Sequence, residues 1–145
     1  MKRRVMRLLG VAMALVMFAS MQLSAYATTR ASDYFWVTEV WATPLEDGEF
    51  IVEFDIGATQ TMQEVGAKKI WIYEQQSDGK YEIVKTFTRD DTDGLIDTNA
   101  SCAYARIYYK GTPGVKYFAT VALYAKDNNG SETKYRDTNV ITAPN

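Results

Sequence analysis

One acidic loop has the residue types and the spacing of a cation site. Asp91, Asp93 and Asp97 are arranged around Gly94 within seven residues. Calcium takes about six to eight oxygen ligands, and alternating aspartates on a turning loop can supply several of them. The alternative is a solvated loop in which the aspartates initiate turns. A calcium site formed by Asp91, Asp93 and Asp97 is therefore a prediction, although the full EF-hand pattern with its closing glutamate is absent.

A set of aromatic residues on two predicted strands is the second candidate. Trp71 and Tyr73 alternate with two isoleucines, and Phe118 and Tyr124 lie on the opposite strand face from Tyr117. If the two strands are neighbours, Trp71, Tyr73, Phe118 and Tyr124 share the outer face of one sheet. Aromatic side chains on a surface stack against sugar rings or anchor a protein partner. The alternative is a central sheet region whose outer face is covered by loops or long side chains.

Catalytic groups are scarce. The chain has no histidine, which removes Ser-His-Asp and Cys-His catalysis and the commonest zinc ligand. Glycosidases hold two carboxyl groups across a cleft, whereas the acidic residues here fall mostly on predicted turns or exposed strand faces. The sequence therefore predicts a non-catalytic protein.

The first residues have the layout of a targeting segment. Four basic residues within positions 2–7 precede an apolar run from Leu8 to about Phe18, and Ala25-Tyr26-Ala27 follows. A basic start, an apolar middle and a small-x-small end are what a signal peptidase recognises. The apolar run is shorter than the ~20 residues that a spanning helix needs. We expect a signal peptide at 1–27, cleavage after Ala27, release of the mature protein outside the cell and no stable membrane insertion.

Length and net charge limit the domain number and the class of partner that residues 28–145 can have. This region has the size of one domain. It keeps all eighteen acidic residues and twelve of the sixteen basic ones, a net charge of −6. Nucleic acid is thus not an expected partner, because phosphate binding needs a basic patch. The single cysteine, Cys102, cannot form an intramolecular disulfide; we expect it to be buried and inert, the alternative being a cross-link between two copies.

The predicted mature region is a series of short strands and turns. The strands are predicted at Tyr34–Thr43, Phe50–Ile56, Lys69–Glu74, Tyr81–Thr88, Ala103–Tyr109, Val115–Ala125 and Thr133–Thr142. Turn residues separate most of them at nearly regular intervals, a pattern typical of a β-sandwich. Trp36 and Trp41 fall on opposite faces of the first strand, which predicts that one of them lies in the core.

The second half of the chain resembles a fibronectin type III or related immunoglobulin-like module. The resemblance rests on a Gly/Pro turn at 111–114, an alternating strand that begins at Tyr117, and the turn at Asn129-Gly130. It extends to 50–56 and 70–73 as the family's strands B and C, with Phe54 where the family usually has tryptophan. The resemblance implies a single seven-stranded immunoglobulin-like β-sandwich, and it implies that the Tyr117 hydroxyl bonds back to nearby backbone as a tyrosine corner.

These observations leave several functions open. The first is a secreted binding or adhesion module that contacts a protein partner through the aromatic face. A carbohydrate-binding module and a self-associating surface protein, a homo-oligomer with or without a Cys102 cross-link, are the alternatives. No cofactor is expected other than the calcium ion of the acidic loop.

Overall fold

A computed structural model describes residues Ser32–Asn145, and every regular element among them is a β-strand. The expected all-β class is confirmed. The strands are β1 (Phe35–Pro44), β2 (Glu49–Gln75), β3 (Tyr81–Thr88), β4 (Ile96–Lys110), β5 (Lys116–Lys126), β6 (Ser131–Asp137) and β7 (Ile141–Thr142). Within this range no helix is long and apolar enough to cross a membrane. The predicted signal peptide, 1–27, lies outside the described residues.

The strand β2 differs most from expectation. It is one strand of 27 residues, whereas the sequence predicted two separate strands, Phe50–Ile56 and Lys69–Glu74. The polar stretch between them remains extended, with Met62 and Val65 fully buried. Its pairing register shifts between Gly57 and Met62 against β4 and between Ala67 and Lys69 against β5. Such irregularities bend a strand without ending it, so that β2 can change neighbours along its length.

All strands belong to one curled sheet with two distinguishable halves. In the first half-sheet, residues 49–57 of β2 lie between β1 and residues 102–110 of β4. In the second half-sheet, residues 69–74 of β2 lie between β3 and β5, and β6 pairs with the far edge of β5. Residues 64–66 of β2 lie between β4 and β5. The predicted final strand is divided into β6 and β7, both of which pair with β5.

The inner faces of both half-sheets contribute to one hydrophobic core. Alternate residues of β2 and β5 point inward because successive side chains of a strand lie on opposite faces. The fully buried members from these two strands include Phe50, Val52, Phe54, Ile56, Ile70, Ile72, Tyr117, Ala119, Val121 and Leu123. Where the alternation is regular, the residues between these point toward the outer faces, where some of them, such as Ile51 and Tyr124, are covered by neighbouring side chains.

The prediction that one of Trp36 and Trp41 lies in the core is wrong, because both lie outside it. The register of β1 against β2 shifts between Phe35 and Val37, which makes Trp36 an extra residue and breaks the two-residue alternation. The Trp36 side chain is 72% exposed and lies over Gly57. Trp41 is half-buried, and its indole N–H donates to Glu53 on the outer face.

The expectation for Cys102 is also wrong, since this residue is exposed. In β4 the buried residues are Ala103 and Ile107. Cys102 lies on the opposite face of β4 from these two residues and pairs with Gly57 of β2. The pattern of the strand therefore turns the thiol outward, away from the core.

Candidate binding surfaces

The second half-sheet brings two of the predicted site residues into direct contact. Tyr73 of β2 and Phe118 of β5 are Cα partners in the sheet. Their rings are stacked, with centroids 4.6 Å apart and an interplanar angle of 1°. The Tyr81 ring of β3 makes a T-shaped contact with Phe118, with ring centroids 5.0 Å apart. The pair is half-buried by this packing, so that it forms a rigid aromatic base for the outer face.

Trp71 lies on the same face but contacts a different ring. Its Cα partner on β5 is Thr120 rather than Phe118. The nearest aromatic ring is that of Tyr135 on β6, at 6.2 Å and 32°, and Tyr135 is 62% exposed. Sequence reasoning missed Tyr135, because it stands between Lys134 and Arg136 in a polar strand.

Tyr124 differs from its predicted role. It lies on the outward-facing side of β5 but is only 5% exposed. The ammonium group of Lys68 lies 3.8 Å from the centroid of its ring, and Lys68 stands where the register between β2 and β5 shifts. The irregularity places a long basic side chain over the ring. Tyr124 is thus a support beneath Lys68 rather than an exposed ligand contact.

An open groove of about 620 Å³ lies beside the Trp71–Tyr135 pair. In the pairing register, Ala122 of β5 stands between Lys69 of β2 and Tyr135 of β6. A small side chain flanked by long ones leaves a depression, and Ala122 is its floor. The lining residues are Lys68, Lys69, Trp71, Thr88, Arg89, Asp90, Ala122, Thr133 and Tyr135. Their side chains combine aromatic surface with hydroxyl and charged groups.

The basic side chains of the groove differ in how far their charges are neutralised. Arg89 makes two parallel hydrogen bonds to the Glu64 carboxylate, of 2.9 and 3.0 Å. These bonds raise the pKa of Arg89 and lower that of Glu64, and they outweigh the opposing effect of burial. Neither Lys68 nor Lys69 has a carboxylate within ion-pair distance among residues 32–145. The groove therefore carries two ammonium groups that the described part of the protein leaves unpaired.

The acidic loop does not gather its carboxylates. One oxygen of Asp91 accepts the backbone N–H of Thr88 at 2.9 Å and the hydroxyl of Thr92 at 3.1 Å, and the backbone bond lowers the pKa of Asp91. Asp93 lies in the turn, and Asp97 lies in β4 opposite Val65. Within the described range, no group of three or more Asp, Glu, Cys or His side chains could hold a metal ion. The geometry of Asp91 is that of a turn-forming aspartate, and the calcium site remains a prediction that this arrangement does not support.

A second polar cluster, absent from the sequence-based predictions, occupies the outer face of the first half-sheet. Glu53 is 5% exposed, and its carboxylate accepts four hydrogen bonds from neighbouring strands. The donors are Trp41 Nε1 at 2.7 Å, Thr43 Oγ1 at 3.3 Å, the Tyr104 hydroxyl at 2.6 Å and Arg106 Nε at 2.7 Å. Burial by itself raises the pKa of Glu53, but the bonds from Tyr104, Arg106 and Trp41 outweigh it and lower this pKa below its usual value. Glu53 thus fixes the positions of side chains from β1 and β4.

The same outer face presents exposed aromatic side chains. Trp36, Tyr104 and Tyr108 are all more than two-fifths exposed, and the guanidinium carbon of Arg106 lies 5.5 Å from the Tyr104 ring centroid. Tyr104 and Tyr108 both lie on the outward-facing side of β4. The described residues therefore carry two aromatic outer faces, of which the sequence predicted the one on the second half-sheet.

Comparisons with known proteins add little. No protein-family model and no curated protein matches the chain. The solution structure of a protein provisionally classed as late embryogenesis abundant (LEA) is similar over 98% of this chain and 88% of its own length. The two chains are 12% identical, and the TM-score is 0.45. A similarity of this degree carries no argument about fold family or function.

Proposed function

We propose that this protein is an exported, non-catalytic binding module that takes a carbohydrate ligand in the groove beside Trp71 and Tyr135. The observation that carries the proposal is the groove itself, which combines two neighbouring aromatic rings with threonine hydroxyls and charged groups. Small-ligand sites are typically concave, mostly apolar and aromatic, and supplied with a few polar groups that fix orientation. A sugar ring offers an apolar face to an aromatic platform and hydroxyl groups to its polar surroundings.

An immunoglobulin-like architecture is part of the proposal. The first half-sheet pairs β1, β2 and β4, as such modules pair strands A, B and E; the second pairs β2, β5 and β6, as they pair C, F and G. The backbone N–H of Thr112 donates to the Tyr117 hydroxyl at 2.8 Å, the bond of a tyrosine corner. This support is independent of the groove. Modules of this kind serve binding and adhesion, although fold by itself does not fix function.

A glycan array probed with the mature protein tests the carbohydrate proposal. We expect binding that Trp71→Ala abolishes, because the substitution removes one wall of the groove. Trp36→Ala is the matched control, since it removes an exposed tryptophan from the other half-sheet. Equal glycan binding by the wild type and by Trp71→Ala would remove the groove from the proposal, and a lack of any glycan binding would refute the carbohydrate function.

A protein partner is the second candidate function, and the outer face of the first half-sheet favours it. Trp36, Tyr104, Tyr108 and Arg106 are of the residue types that dominate the binding energy of protein interfaces, and all four are substantially exposed. Self-association through this face would also place two exposed Cys102 thiols near each other. Sedimentation with and without reductant distinguishes the cases, because a cross-linked dimer dissociates in reductant whereas a non-covalent one does not.

Export is proposed from the N-terminal pattern alone. N-terminal sequencing of the protein recovered from culture medium is expected to begin at Thr28. Recovery of the uncleaved chain in the membrane fraction would contradict both the signal peptide and the extracellular location.

A further inference from the structure

We infer that the groove selects acidic carbohydrates, namely glycans that carry uronic acid carboxylates, over neutral glycans of the same shape. The inference rests on the proposed carbohydrate function and names its ligand class.

The groove is a basic site on an acidic protein. Three of its lining side chains are cationic, Lys68, Lys69 and Arg89, against the single carboxylate of Asp90. The predicted mature chain as a whole carries a net charge of −6. Arg89 is largely neutralised by Glu64, so the charges available to a ligand are the two positive charges of the lysines against the one negative charge of Asp90. A local charge opposite to that of the whole surface favours ligands of the complementary sign.

The two lysines are placed where substituents of a stacked ring would lie. The Lys69 ammonium is 5.9 Å from the Trp71 ring centroid, and Lys69 is in the same cross-strand row as Ala122 and Tyr135. The Lys68 ammonium is held over Tyr124 at 3.8 Å. A sugar ring stacked on Trp71 would therefore lie beside the Lys69 ammonium, and Lys68 lines the same groove. Neutral hydroxyl groups at the same positions gain less from an ammonium group.

The expected size of the selectivity follows from the exposure of these groups. An exposed ion pair contributes little, and two such pairs together give roughly a ten-fold difference in affinity. Salt screens exposed charges, with a Debye length of about 10 Å at 0.1 M and about 3 Å at 1 M. The preference should therefore fall as ionic strength rises, whereas ring stacking should depend on it much less.

The test uses a ligand pair that differs only in the group at C6, which is a neutral hydroxymethyl in one oligomer and a carboxylate in the other. The dissociation constants of cellotetraose and of its C6-oxidised form, tetraglucuronate, are measured with the mature protein by calorimetry at low and high salt. We expect the tetraglucuronate to bind about ten-fold more tightly at low salt and the difference to shrink at high salt. Lys68→Gln combined with Lys69→Gln should remove the preference, so that the two oligomers bind this variant with equal affinity. Lys80→Gln is the control for the loss of a positive charge outside the groove, because Lys80 lies in the β2–β3 turn and its side chain is 82% exposed.

The outcomes separate this inference from the proposed function. Equal affinities for the two oligomers, or a preference that survives the double lysine substitution, would overturn the acidic selectivity and leave the carbohydrate function standing. Binding of neither oligomer would overturn both. A preference lost equally in Lys80→Gln would show a general effect of net charge rather than a site, and would also overturn the inference.

Discussion

Replacing Glu53 by glutamine should destabilise the protein substantially although the side chain keeps its shape. One carboxylate oxygen accepts from Tyr104 and Arg106, and the other accepts from Trp41 and Thr43. An amide has one accepting oxygen, and its NH2 group can only donate. Whichever way the amide is turned, the NH2 group faces either the Arg106 guanidinium or the Trp41 indole, neither of which can accept.

The magnitude follows from the bonds that are lost. A hydrogen bond to a charged group contributes about 1.5–3 kcal/mol, and removing one partner of a buried ion pair costs about 3–5 kcal/mol. Arg106 is 55% exposed in its side chain, so water can replace part of its interaction and the lower figures apply. We expect Glu53→Gln to lower the free energy of unfolding by about 2–4 kcal/mol, or Tm by roughly 10 °C.

Urea unfolding followed by circular dichroism measures this loss, and its pH dependence adds a second check. The pKa of Glu53 is lowered in the folded protein, whereas an unfolded glutamate titrates near about 4.3. The stability it contributes is therefore fully present above that pH and is lost as pH falls through the folded pKa. The difference between wild type and Glu53→Gln should be constant from about pH 5 to 8 and should shrink below about pH 4.

Glu39→Gln is the matched control for this prediction. Glu39 lies on β1, is exposed, and has no hydrogen-bonded partner among the described side chains. Its substitution should change stability by less than about 0.5 kcal/mol. If Glu53→Gln were equally mild, the four-donor arrangement around Glu53 would not hold the first half-sheet together, and the argument would be refuted.

Three further predictions concern the turn at the start of β5 and the exposed thiol. A Cβ at residue 111 would lie 2.6 Å from the buried Tyr117 ring, so Gly111→Ala should lower the free energy of unfolding in urea by about 1–3 kcal/mol. Gly57→Ala is the control, because the exposed Trp36 ring can move aside, and it should lower this free energy by less than about 1 kcal/mol. Equal losses in the two variants would contradict the prediction. Tyr117→Phe removes a hydroxyl with two hydrogen-bond partners and should lower stability by about 1–3 kcal/mol in the same assay; an unchanged midpoint would mean that the bonds contribute nothing. Cys102 should react with a thiol reagent in the native protein at nearly its unfolded rate, and protection until denaturation would show that it is covered.

The core could be predicted from sequence because its signal is local. Phe50, Val52, Phe54 and Ile56 alternate with mostly polar residues, and only one face of such a strand can be buried. The continuity of β2 could not be predicted in the same way. Its central polar residues have the composition of a loop. The strand continues through them because Met62 and residues 64–66 pair with β4, and residues 64–67 pair with β5.

The binding surfaces were predicted only in part, for two physical reasons. Trp71, Tyr73 and Phe118 follow regular alternation, which assigned them to one face. The exposure of Trp36 was not predicted, because it results from a bulge that adds one residue to β1. Such a bulge cannot be recognised from the periodicity of the sequence. Tyr135 was not predicted because its importance depends on its contact with Trp71 of β2, which lies far away in the sequence.

The indole N–H signals in a 1H–15N NMR spectrum test the central claim most directly. The protein has three tryptophans, of which Trp71 lies beside the groove while Trp36 and Trp41 lie on the other half-sheet. Titration with a glycan that binds on the array should shift the Trp71 indole signal and leave those of Trp36 and Trp41 unchanged. A shift confined to Trp36 and Trp41 would place the ligand on the first half-sheet and contradict the groove as the binding site.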